Sequence, residues 1–99
     1  MKKDNRRAME MICPNDEIVG VEMRETKSAY IITPITEPPA EHFDYYLNPL
    51  WEVGKIVVTK KKKSIHGLTD WGDGEYTLYP YRSGQAYWLR PVKEVKNEN

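Results

Sequence analysis

The chain predicts a mainly β fold with a minor α component: a small, five-stranded antiparallel SH3-like barrel, or a strongly bent sheet, with one short helical insertion. Three observations carry this prediction. Glu75 to Tyr81 and Ala86 to Val92 are runs rich in Tyr, Trp, Thr, Leu and Val, separated by Arg82, Ser83, Gly84 and Gln85. That is the composition of a hairpin with a glycine-containing loop. Upstream, Glu17 to Arg24 and Ser28 to Ile35 alternate as strands, and only Glu25, Thr26 and Lys27 join them, so they form an antiparallel pair. Finally, a length of 99 residues suits one domain with a modest core and leaves no room for a second. An OB-like barrel is the alternative assembly of the same elements. Either is an analogy of element order, and fold alone does not set function.

Taken in order, residues 1–13 read as an N-terminal tail, or a short helix capped by Asp4, leading into the first strand. Residues 14–92 form the domain and residues 93–99 a polar C-terminal tail. Pro14, Asn15 and Asp16 make a turn. In the first strand Val19, Val21 and Met23 share a face; in the second, Ala29, Ile31, Thr33 and Ile35 lie opposite Tyr30 and Ile32. Pro34 has no backbone donor and belongs at a strand end or sheet edge. After Glu37, Pro38 and Pro39 the period changes, and Ala40, Phe43 and Leu47 mark a helical face. Pro49 is expected to end this helix near Leu47 or Asn48. Gly54 to Lys61 is the third strand, closed by the lysines; Ser64 to Asp70 is too mixed to assign.

The last hairpin poses the functional question. Strand alternation directs Tyr76, Leu78, Tyr87 and Leu89 to the core and puts Tyr79, Tyr81, Trp88 and Arg90 on the other face. That second face is either further core in a closed sheet, its polar tips satisfied at the edge, or an exposed platform. As a platform it joins Tyr79, Tyr81, Arg82, Trp88 and Arg90, residue types favoured at protein interface hot spots and equally able to stack bases.

Charge narrows the choice. The 15 basic and 15 acidic residues cancel, which argues against a strongly basic, nonspecific nucleic-acid binder. Between Pro14 and Leu50 seven acidic residues outnumber two basic ones, and from Trp51 onward nine basic residues outnumber six acidic ones. Lys60, Lys61, Lys62 and Lys63 are candidate phosphate contacts; they serve equally as a solvated strand end that protects an edge. The resulting expectation is a non-enzymatic adaptor or inhibitor engaging a protein partner through the aromatic and arginine face. The alternative is a DNA- or RNA-binding barrel using stacking and the lysine run, and an exposed β edge also allows a homodimer.

No cofactor or metal is expected. Cys13 has no second cysteine to pair with and no histidine or aspartate organised around it. His42 and His66 lack zinc-ligand spacing. Asp70, Asp73 and Glu75 with Gly72 and Gly74 read as turn chemistry, since they lack the alternating spacing of a calcium loop. An enzyme acting through His66 with Asp70 or Asp73 requires a convergence that no motif signals. With no apolar run approaching 18 residues and no secretory h-region, a cytoplasmic, non-membrane protein is expected.

Overall fold

The computed structural model describes residues 6–35, 45–82 and 85–92. Seven strands form one sheet, not five: β1 Arg6–Ile12, β2 Ile18–Glu25, β3 Ala29–Pro34, β4 Ile56–Thr59, β5 Gly67–Asp70, β6 Tyr76–Tyr79 and β7 Tyr87–Pro91. Their order is β4-β3-β2-β1-β7-β6-β5, antiparallel throughout, and the sheet is nearly closed into a barrel. Five strands fall where alternation predicts them. The other two are corrections. Residues 6–12, expected as tail or short helix, are β1, and they occupy the middle of the sheet between β2 and β7. Met9 and Met11 point inward, with Arg7 on the same face and its guanidinium over the Tyr76 ring, while Ala8 and Glu10 face the other way. This is a period-2 pattern with methionine in place of the usual β-branched residues. β5 was hidden because Gly67 and Asp70 are poor strand formers and only Leu68 signals a core contact.

The core is a set of cross-strand rows. Leu68, Leu78 and Tyr87 lie in register across β5, β6 and β7; Tyr76, Leu89, Met11 and Val19 continue across β6, β7, β1 and β2. Met23, Ile32 and Ile56 form the row across β2, β3 and β4. Tyr76, Leu78, Tyr87 and Leu89 are all buried, as the hairpin's alternation requires. Cys13 is buried at the end of β1.

One end of this core is closed by a 3-10 turn, Tyr45–Leu47, running into the helix α1, Asn48–Glu52. Leu47 and Leu50 are buried among the strand residues. The helix therefore begins where the sequence pattern predicts its end. Pro49 sits in the first turn, where its missing N–H removes no intrahelical bond, so it starts the helix rather than stopping it. The predicted face of Ala40 and Phe43 lies outside the described residues, as do Asp4, His42 and the C-terminal tail.

Strand parity then creates the feature on which the second site depends. Following the antiparallel pairs around the sheet, β4 and β5 run in the same direction. Parallel neighbours need a crossover of about a dozen or more residues, and only residues 60–66 link these two. No ladder joins β4 to β5, and a seam is left open between them. The link folds back beside β4: Thr59 N donates to Ser64 Oγ at 3.2 Å and Lys60 N to Ser28 O at 2.8 Å.

Candidate functional site

Two surfaces stand out, and each follows from the register. On the outer sheet face, directly paired residues point the same way. The pairs Ile18 with Ile12, Ile12 with Trp88, and Trp88 with Thr77 therefore lay an apolar row across β2, β1, β7 and β6. Trp71 joins this row from the loop after β5. Its indole N–H donates to Thr77 Oγ1 at 2.8 Å, and its ring stacks on Trp88 with centroids 6.2 Å apart and planes at 19°. Thr77 is buried beneath the pair, but Trp71 and Trp88 stay 54% and 39% exposed, and Ile18 is exposed beside them.

The loop chemistry holds Trp71 there. Asp70 Oδ1 accepts Gly72 N–H, Asp73 Oδ1 accepts Glu75 N–H, and Trp71 N donates to Glu75 O. Gly72 and Gly74 take φ of 86° and 94°, a region that favours glycine. The Asp70 and Asp73 carboxylates thus serve the loop's turns, as their spacing predicts, whereas that of Glu75 reaches Trp88. The rim of the row is charged and internally paired: Arg90 Nε donates to Glu10 Oε1 at 3.0 Å, and Trp88 Nε1 to Glu75 Oε1 at 3.0 Å.

The second surface is the seam. Pro80 and Tyr81 turn the chain, with Arg82 N donating to Tyr79 O at 3.0 Å. A proline followed by a residue of positive φ is the pattern of a type II turn, and here that residue is Tyr81 at φ 57°, followed by Arg82 at φ 58°. Two consecutive bulky residues in the left-handed region cost about 1–3 kcal/mol each. What holds them is visible. Tyr81 N donates to His66 Nδ1 at 3.0 Å, the two rings lie 5.1 Å apart, and Arg82 Nη1 reaches the carbonyls of Lys62 (3.3 Å) and Ser64 (3.4 Å). His66 is buried, and burial lowers its pKa, so the ring is the neutral acceptor this bond requires.

Around the seam, Tyr30, Lys60, Lys61, Lys62, His66 and Arg82 line a groove of about 490 Å³ in which no carboxylate takes part. Lys60 sits at its border, 2.8 Å from Glu25 Oε2 and 4.9 Å above the Tyr30 ring. The bond to Glu25 raises the Lys60 pKa. Burial, then the Glu25 carboxylate, raises that of Tyr30. Among the described residues no side chain forms an ion pair with Lys61 or Lys62. Lys63 is exposed and outside the groove.

The five residues expected to share one binding face are thus divided. Trp88 and Arg90 lie on the outer face, the latter already paired with Glu10. Tyr79, half-buried on the same side of β6, packs near Arg82 over Gly67. Tyr81 and Arg82 belong to the turn at the seam, because β6 ends at Tyr79 and strand alternation no longer governs them. Strand alternation gives no site role to Trp71 or Tyr30, and the sequence offers His66 only as a catalytic candidate with Asp70 or Asp73, not as a groove residue. Trp71 lies in a loop with no periodicity to assign it a face, and Tyr30 and His66 reach the groove only through the closure of the sheet. Among the described residues no cluster of three or more His, Cys, Asp or Glu could hold a metal ion, and no helix is long and apolar enough to cross a membrane. Compared with known family models, curated proteins and solved structures, the chain matches none.

Proposed function

We propose that this protein is a non-enzymatic binding module that engages a protein partner through the Trp71–Trp88 face. The observation that carries the reading is the exposed indole stack itself, continued by Ile12 and Ile18. Both indole N–H groups are already bonded within the chain, so what the stack offers a partner is rigid apolar surface, the kind of anchor on which interface energy concentrates. Its rim mixes Arg90 with Glu10 and Glu75, which suits a protein surface better than a phosphate backbone. An adaptor or inhibitor of this type needs no catalytic group. The side chains of the enzymatic alternative have structural partners: His66 accepts the Tyr81 N–H, and Asp70 and Asp73 accept loop N–H groups.

The test compares the protein with a Trp71→Ala/Trp88→Ala variant and a Lys61→Gln/Lys62→Gln variant as bait, with folding checked by thermal melting, and follows self-association by sedimentation. A partner retained by the lysine variant and lost by the tryptophan variant supports the reading. Self-association lost in the tryptophan variant assigns the face to a second copy of the chain. Identical capture by all three proteins overturns it.

A further inference from the structure

We propose that the seam groove between β4 and β5 is a second, separate site, which takes a phosphate-bearing ligand the size of one nucleotide. Its cations are Lys61, Lys62 and Arg82, and its aromatic wall is Tyr30. The inference does not rest on the tryptophan face.

The argument begins with topology. Because β4 and β5 run in the same direction with only residues 60–66 between them, the most basic stretch of the chain is folded into the gap between these two strands. The whole chain is neutral, yet this groove gathers Lys60, Lys61, Lys62 and Arg82 with no carboxylate on its walls. The Lys60 ammonium is shared with Glu25; those of Lys61 and Lys62 have no ion-pair partner among the described residues. A solvated strand end that merely blunts an edge requires neither the groove nor the arrangement of Arg82.

Arg82 is placed deliberately. It reaches the groove from a neighbouring turn, in a left-handed backbone conformation that arginine rarely adopts, and one arm of its guanidinium holds the carbonyls of Lys62 and Ser64. This fixes the course of the lysine link. Strain of this kind persists only where surrounding contacts enforce it, and it gathers at ligand sites.

The volume, about 490 Å³, falls within the range of small-ligand sites. Its lining combines the cations with the apolar and aromatic side chains of Tyr30, Val58 and Leu68, and the Tyr30 ring already carries the Lys60 ammonium 4.9 Å above it. A phosphate attached to a flat ring matches this mixed lining. That chemistry has two sources, a free mononucleotide or one nucleotide unit of a single strand, since phosphate contacts and ring stacking also define single-strand binding.

The experiment uses the full chain with a fluorescein-labelled single-stranded oligothymidylate, read by anisotropy at low salt and over a rising salt series, with thymidine monophosphate as unlabelled competitor. Binding that weakens as salt rises, and that falls by about tenfold or more in Lys61→Gln/Lys62→Gln with a shallower salt slope, is the expected result. Trp71→Ala/Trp88→Ala is expected to bind as the wild type does, so failure here and failure of the tryptophan face are distinguishable. Competition by the mononucleotide at the oligonucleotide's per-nucleotide concentration identifies the free nucleotide as the ligand; competition only by unlabelled strand identifies the strand. If neither binds the wild type at low salt, or if the lysine variant binds unchanged, the proposal is overturned.

Discussion

The backbone N–H of Tyr81 donates to Nδ1 of His66 at 3.0 Å, joining a left-handed turn to the link that spans the open seam. The bond requires an unprotonated Nδ1, and burial holds the His66 pKa below the ordinary 6.5. In the unfolded chain the imidazole takes up its proton near 6.5, before the folded chain does. The stability contributed by neutral His66 is therefore present in full above that pH. It is lost as pH falls through 6.5 toward the depressed folded value. Thermal midpoints measured from neutral pH downward are expected to decline in this window, above the carboxylate range near about 4, and His66→Gln is expected to flatten the decline. Parallel profiles for the two proteins would refute this account.

The turn between β1 and β2 offers a cleaner backbone test. Cys13 N donates to Glu17 O and Asp16 N to Cys13 O, with Asp16 at φ 74°. This is a three-residue hairpin loop with its final residue left-handed, the position that favours glycine. Asp16→Gly is expected to be neutral to stabilising by about 0.5 kcal/mol, the relief of the left-handed backbone being partly offset by glycine's entropy. Asp16→Val is expected to cost about 1–3 kcal/mol, since a β-branched side chain tolerates this region poorly. Denaturant midpoints at constant m-value decide the sign.

Whether the short helix is part of the core or decorates it depends on Leu50. Its side chain is fully buried, while Val53 one turn on is 69% exposed. Leu50→Ala is expected to lose about 2–5 kcal/mol by leaving a cavity at the end of the barrel, and Val53→Ala to stay within about 0.5 kcal/mol. Equal effects in chemical denaturation would mean that α1 does not seal the core.

The indole stack makes an optical and an energetic prediction. With Trp51 and Trp71 replaced by phenylalanine, the emission of Trp88 is expected to be red-shifted and readily quenched by iodide, because the face is outside the core. A double-mutant cycle between Trp71→Ala and Trp88→Ala is expected to give a coupling of about 0.5–1.5 kcal/mol. A blue-shifted, protected Trp88 with no coupling would return this face to the interior.

Much of the fold is legible in the chain because it is written at period 2. Val19, Val21 and Met23, like Tyr76, Leu78, Tyr87 and Leu89, identify both strand and buried face without reference to any partner. The boundary errors have physical causes. Pro49 has two opposite meanings, helix stop or first-turn residue, and only the docking of Leu47 and Leu50 selects the second. Tyr81 continues an apparent alternation past Pro80, yet the proline turns the backbone and sends Tyr81 to His66.

What the sequence determined by itself was local: a mainly β chain, five of its seven strands, the inward face of the last hairpin and the turn chemistry around Asp70 and Asp73. Each of these depends on neighbours within a few residues. The tertiary structure decided what depends on long-range pairing. It placed β1 at the centre of the sheet, laid Trp71 on Trp88, and left β4 and β5 running the same way, so that the lysine link lines a seam with Tyr30 and Arg82. Strand direction around a nearly closed sheet is a property of the whole set of pairings, and no window of sequence contains it.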